Sequence, residues 1–552
     1  MADAYREPGW WGNVTSLWPR RLLHIPTMTS LECQPGNVYG DQKEPRYGIL
    51  TYTWGRWQTD RVDAIDIKGT TWKIPAVAEE HFTVSRFKGV IDKIGEEVEY
   101  AWVDVACIDQ EDNRVKMDEV GRQVGIFKQA HRVFVWLNRL EPEKLQRCLD
   151  EIFTSGPELE HEKSADGVLA RLYSLKNAME MLFNDPWFSS LWTLQESVLR
   201  RDAMILSQEA RPVPLCYMEG YAFLATLISA CQNIHTGIGR IQTKYKSHFW
   251  DPNIKNTASE LQNTIERVGC HFLYTSNPNV QYSAARFRKT SYELDRIYGI
   301  MQIYGLKLGE SKGPHEVKPT LDQLEDEFGA ALMSRSPVLA QMFTHIRTPP
   351  QGKSWRITQY SRVPDPVMVY LPPYNVNNRP QGGPPEERHH CQFSVHPSLG
   401  QVHIEGKSWE FGALVKHWYQ QWDPSRNTDV EHCIMLDEND HVLGRLPPRL
   451  AQLNLPADSR QHELGAALLA LFRDRKLVWF LVGEKPGRWV RDTDQGATYT
   501  TCFLGLILLW REEAEWWERI GICSWDVGEH FWDGEQLRAP FPNCSSFKGR
   551  LG

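Results

Sequence analysis

Residues 47–55 read YGILTYTWG, a β-rich run in which Ile49, Thr51 and Thr53 fall on one side of an extended chain and Leu50, Tyr52 and Trp54 on the other. A strand that offers no charged face to water suits the middle of a parallel sheet covered by layers above and below. Gly55 then permits the sharp exit such a strand needs at its C-terminal end. Working outward, residues 100–105 (YAWVDV) form a second predicted strand and residues 131–137 (HRVFVWL) a third. Between them a helix is expected from Arg114 to Ala130, with Met117, Val120, Val124 and Phe127 on one face. The resulting β, α, β unit calls for the right-handed crossover of parallel neighbours.

Farther along, Val168, Leu172, Leu175, Met179 and Leu182 make a helical stripe across residues 167–182. Asp185 and Pro186 suit the start of a helix expected over Trp187 to Leu199, followed by a short strand from Ala203 to Leu206. Helix-rich sequence continues through YELDRIYGIMQIYGL to Leu306. Residues 1–310 are therefore expected to be an α/β domain, a parallel sheet flanked by helices, with a helical extension. Residues 311–390, which include LPPYNVNNRPQGGPPEE, read as a Pro/Gly-rich linker or loop region. Residues 391–552 are expected to be a mixed α+β domain. There CQFSVHPSLGQVHIEG alternates like a hairpin, Gln461 to Arg473 is an amphipathic helix, and Lys476 to Val482 and Thr500 to Trp510 are buried strands. REEAEWWER at 511–519 reads as a helix with a charged outer face.

Composition narrows the function classes. With 62 basic and 70 acidic residues the formal charge is -8, which supplies no general cationic surface for a phosphate backbone, so nucleic acid is not the expected partner. The 11 cysteines form no CxxC pair, which argues against a zinc ribbon or disulfide framework and for a reducing, cytoplasmic compartment. The opening MADAYREPGWWGNV has no apolar core of signal type, and Phe503 to Trp510 is too short to span a bilayer. His389 and His390 lack ligand-spaced companions, so no metal is expected. The 22 tryptophans suit packing and pocket walls.

Three segments acquire meaning together: YGILTYTWG at 47–55, AWVDVACIDQEDNRVKMDEVGRQVGIFKQAHRVFVWLN at 101–138, and DPWFSSLWTLQESVL at 185–199. In order and spacing they resemble the blocks of the fungal heterokaryon incompatibility (HET) domain family. DRIYGI at 295–300 is similar to a segment that commonly follows that domain. Two positions depart from the pattern: Thr51 stands where serine is usual, keeping the hydroxyl, and Asp109 where asparagine is usual, exchanging an amide for a charge. HET domains are described as similar to the TIR fold, so the resemblance implies a TIR-like, flavodoxin-like sheet. TIR domains carry S-x-W-C-L-x-E at a helix start, and Ser190 to Glu196 match it at every named position except Thr193.

That resemblance implies Glu196 as the catalytic glutamate of an NAD glycohydrolase, with Trp192 beside it. NAD would be the substrate, and no cofactor is needed. Four residues apart on a helix, the two side chains share a face, so the indole can wall a flat base while the carboxylate faces the sugar. Nicotinamide leaves from an already cationic ring nitrogen and needs no general acid, so one carboxylate can suffice where glycosidases need two. Open α/β sheets bind ligands at strand C-terminal ends, which nominates Thr53, Trp54, Gly55, Arg56, Asp104 and Asp109 for the nucleotide, Arg56 as a phosphate partner. Function would be that of an incompatibility or programmed cell death effector whose partner is a second copy or another incompatibility protein. A non-catalytic self-association module and a scaffold recruited for small-molecule metabolism are the alternatives. For single residues the structural alternatives are a Glu196–Arg200 ion pair, Trp192 as core packing, Asp104 as a loop anchor and Cys107 as a buried, inert thiol.

Overall fold

Tyr47–Thr51, every residue of it buried, is the strand around which the first sheet is laid out. The structure is a computed structural model. It describes residues 18–53, 65–74, 76, 82–159, 161–217, 219–244, 252–271, 273, 277–309, 319–364, 367, 388–396, 401–413, 432–437, 476–492, 496–527, 532–533, 536–537 and 544–552. The chain divides into two compact units, Met1–Tyr274 with Phe287–Val317, and Thr275–Arg286 with Lys318–Gly552.

The strands of the first unit are β1 (Arg21–His24), β2 (Thr29–Glu32), β3 (Val38–Tyr39), β4 (Gln42–Lys43), β5 (Tyr47–Thr51), β6 (Tyr100–Trp102), β7 (Arg132–Trp136) and β8 (Met204–Leu206). Six of them form one sheet in the order β2-β1-β6-β5-β7-β8, while β3 and β4 make a separate hairpin. β6, β5, β7 and β8 run parallel, with Gly48 opposite Ala101 on one side and Arg132 on the other. Numbered by their order in the chain these four stand 2-1-3-4, so the direction of winding reverses beside β5. The expectation of a parallel sheet needs correction, because β1 and β2 add an antiparallel edge and the sheet is mixed. RLLH and TSLE are four residues each, too short to announce themselves by alternation.

Helices α1 (Val84–Gly95), α2 (Asp104–Cys107), α3 (Asn113–Val120), α4 (Gln123–Gln129), α5 (Pro142–Leu159), α6 (Ala165–Phe183) and α7 (Leu191–Leu199) fill the connections. α1 buries Phe87, Val90, Ile91 and Ile94 and lies so close to β5 that a Cβ on Gly48 would sit 2.8 Å from Ile94. The predicted stripe of α6 is buried at all five positions. The single helix expected over 114–130 is two, since Gly121 closes α3 and α4 restarts at Gln123. The second strand ends at Trp102, because Asp104 opens a helical turn by accepting the Val105 N–H at 2.7 Å. The helix expected from Trp187 is a 3-10 turn, Pro186–Phe188, capped by Asp185, and α7 begins only at Leu191.

The second unit contains helices Pro278–Ala285, Leu321–Arg335 and Pro337–Gln341 and an eight-stranded sheet from residue 388 onward. Two of these helices fall within 311–390, and residues 368–387 lie outside the described residues, as does the helix expected over 461–473. Gln392–His396 pairs antiparallel with Gln401–Glu410, the alternation read at 391–406. Leu477–Asp492 and Gly496–Arg511 pair along most of their length, and Trp516–Val527 folds back on the latter. REEAEWWER is therefore a turn and a strand rather than a helix. Glu515 turns the chain at φ 55°, Trp510 and Trp517 meet across the ladder, and Arg511 pairs with Glu518. Cross-strand pairing of aromatic and charged residues outweighs the helical preference of the acidic run.

Candidate functional site

α7 lies beside the C-terminal ends of β5 and β6, and its start is held by buried polar groups. Asp185 accepts the N–H groups of Trp187 and Arg139, each at 3.0 Å, and burial pushes its carboxyl up to about 6. Arg288, almost fully buried, donates to the carbonyls of Trp187 (3.1 Å), Ser190 (3.4 Å) and Val268 (2.9 Å). Burial lowers its pKa to about 10. The Leu191 N–H bonds to the Lys289 carbonyl at 3.0 Å, and the Thr193 hydroxyl returns to the Trp187 carbonyl at 2.5 Å. These contacts fix the register of the helix that carries the predicted pair.

Seven of the nine residues of α7 are buried; the two that are not are Trp192 and Glu196, one turn apart. The Trp192 indole N–H donates to Asp295 Oδ2 at 3.1 Å. Glu196 Oε2 is shut off from solvent and has no hydrogen-bond partner among the described residues. Burial pushes the Glu196 carboxyl up to about 8; the Thr51 hydroxyl bond works against that rise, and the Asp104 charge adds to it. Thr51 itself accepts the Trp187 indole N–H at 2.9 Å, which leaves its own proton for the glutamate. The alternative of an ion pair with Arg200 is not seen. Arg200 is bonded to Asp202 (2.7 Å) and to the carbonyls of Phe127 and Ala130, both at 2.8 Å. A carboxyl with one unanswered oxygen beside a second acid costs stability unless a cation or proton answers it.

Of the other nominated residues, Trp54, Gly55 and Arg56 lie outside the described residues. Thr53 is buried just past β5. Asp104 is half-buried, anchors the next turn and acts electrostatically on Glu196. Asp109 Oδ1 accepts the N–H groups of Glu111 and Asp112, each at 2.9 Å, so its carboxylate is occupied in closing the loop. An asparagine oxygen would do the same, which makes that departure from the family pattern conservative. Cys107 is buried and burial pushes its thiol up to about 12, an inert packing residue. His390 pairs with Glu484 at 2.5 Å, and no group of three metal-binding side chains occurs among the described residues. No helix among the described residues is long and apolar enough to cross a membrane.

Trp187, Arg288 and Asp295 also belong to this arrangement, and none of the three is among the residues nominated from sequence. A signal existed for Thr51, whose retained hydroxyl now has two partners, and for Asp295, first residue of the noted DRIYGI segment. Nothing local marked Arg288, since its three carbonyl partners come from distant stretches of chain.

No curated protein and no solved structure matches the chain. Residues 47–196, which run from the first residue of β5 to Glu196, match the family described as heterokaryon incompatibility protein (HET).

Proposed function

We propose that the HET domain hydrolyses the bond between nicotinamide and ribose in NAD, as the effector step of a heterokaryon incompatibility or cell death response. The observation that carries the reading is the pairing of Trp192 and Glu196 as the two residues of α7 that are not fully buried, with one Glu196 oxygen shut off from solvent and unanswered among the described residues. The 2-1-3-4 order of the parallel strands is that of flavodoxin-like sheets, which bind ligands at strand C-terminal ends beside the reversal, and it supports the TIR-like comparison.

In this mechanism the indole of Trp192 walls the nicotinamide ring and Glu196 faces the ribose. The bond from C1′ to the ring nitrogen breaks with its electron pair going to nitrogen, so the cationic ring leaves neutral. Positive charge builds on the ribose, where an ionised Glu196 stabilises it most in the transition state. Water then bonds to C1′ and gives up a proton through the carboxylate, yielding ADP-ribose. Because burial keeps Glu196 protonated up to about 8, binding the cationic substrate expels a proton. Turnover should therefore rise with pH through the neutral range.

The test is nicotinamide release from NAD by the full chain, over a range of protein concentrations and from pH 6 to 9. Glu196→Gln should lower turnover by about 10²- to 10³-fold with an unchanged circular dichroism spectrum. Absence of nicotinamide release at every concentration, or equal release by the glutamine variant, rejects the proposal. In the former case, or where incompatibility signalling survives Glu196→Gln, a purely associative domain becomes the better reading.

A further inference from the structure

The HET match ends at Glu196, yet a later stretch of the same compact unit is tied to α7 at three places. Lys289 exchanges backbone bonds with Ser189 (2.6 Å) and Leu191 (3.0 Å). Asp295 receives the Trp192 indole N–H at 3.1 Å. The Gln302 N–H reaches Gln195 Oε1 at 3.2 Å, and Gln195 in turn donates to Gln123 at 2.5 Å. Gly299 allows the approach, since a Cβ there would lie 2.9 Å from the Asp295 carbonyl and 3.1 Å from Leu191. Asp295 is itself held, because the Thr290 hydroxyl donates to the same Oδ2 at 2.8 Å.

Of these tethers only the one at Asp295 touches the side chain that the mechanism uses. An incompletely buried indole on a helix surface has several rotamers open to it, and a charge-assisted bond to a fixed carboxylate selects one. The bond also has an electronic effect. An N–H that donates to an anion sends electron density into its ring, making the aromatic face more negative and more attractive to a cation. The nicotinamide ring of NAD carries a full positive charge, whereas that of NADH is neutral.

Resting on the reading of Trp192 as the wall of the nicotinamide site, we propose that Asp295 is a positioning residue that orients the indole and biases the site toward the oxidised, cationic ring. The functional domain then runs beyond the family match to include residues 289–302. Asp295→Asn keeps an acceptor oxygen and removes the charge; Asp295→Ala removes both; Trp192→Phe keeps a ring and removes the donor.

The experiment measures binding of carba-NAD, which is cationic but resists cleavage, and of NADH to the full chain by calorimetry. Wild type should favour carba-NAD, and Asp295→Asn should shrink that ratio by about two- to fivefold, the range of an exposed cation–π contact. In a Trp192→Phe background the same change should alter nothing, which a merely structural role for Asp295 would not produce. An unchanged ratio in Asp295→Asn overturns the charge preference. A second readout needs no nucleotide: in protein labelled with 5-fluorotryptophan, the Trp192 signal, identified by its loss in Trp192→Phe, should shift in Asp295→Asn and broaden in Asp295→Ala. A fluorine signal that ignores both variants overturns the tether. If neither dinucleotide binds wild type, the NAD reading and the charge preference fall together, and the fluorine signal alone decides the tether.

Discussion

In the second unit the guanidinium of Arg356, 1% exposed, is met by Asp322 (2.6 Å), Glu325 (2.9 Å) and Asp326, with Lys353 completing the cluster on Asp326. Burial alone would lower its pKa, but the three carboxylates outweigh that and raise it. Around Glu196 in the first unit the balance is reversed: one hydroxyl bond, a neighbouring acid and an oxygen with no partner among the described residues. The first arrangement joins the 353–356 segment to a helix. The second leaves a buried carboxyl with a single hydroxyl bond and a raised pKa, a condition common at functional sites.

Arg356→Met tests the paired side of this contrast most severely. It strands a buried Glu325 beside two further acids and should cost about 3–5 kcal/mol in denaturant unfolding. A loss below about 1 kcal/mol would mean that the cluster is not what holds the helix.

Glu196→Gln should do the opposite to stability. A carboxyl whose folded pKa is about 8, against 4.5 when unfolded, makes the folded chain hold a proton that the unfolded chain has lost. Stability therefore falls as pH rises from 4.5 to about 8 and levels beyond. The glutamine variant escapes that fall and should gain about 1–3 kcal/mol over wild type at pH 9, with little difference at pH 4.5. Glu119, pushed up to about 7 by burial, and Asp185, pushed up to about 6, titrate in both proteins and cancel in the comparison. Equal melting curves at pH 9 would show that Glu196 is well partnered after all.

Thr51→Val should cost about 1–3 kcal/mol by stranding the Trp187 N–H, and should move the midpoint of the pH–turnover profile upward. Thr51→Ser should leave that midpoint in place while losing about 1 kcal/mol with the buried methyl. Asp109→Asn should be the mildest change, within about 0.5 kcal/mol and without effect on turnover, because only an acceptor oxygen is used there. A marked loss of turnover in that variant would restore Asp109 to the site.

Legibility followed the range of the interaction. YGILTYTWG, HRVFVWL and the α6 stripe were readable because a strand buried on both faces and a helix buried on one leave a local period. The i,i+4 placement of Trp192 and Glu196 was readable for the same reason. The antiparallel edge at 21–32 and the turn inside REEAEWWER were not, since each depends on which strand lies alongside. Arg200 was the nearest cation in sequence to Glu196, but Asp202 and two carbonyls already satisfy it.

By itself the sequence determined the α/β layering of the first unit, the family match of residues 47–196 and the helix face shared by Trp192 and Glu196, because these rest on local patterns of residues a few positions apart. Only the tertiary structure decided the electrostatic state of Glu196 and the partner of Trp192. Burial, the Thr51 hydroxyl, the Asp104 charge and the Asp295 carboxylate reach them from stretches of chain that meet only when the sheet is assembled. Desolvation and Coulomb interaction depend on distance in space rather than on separation along the chain.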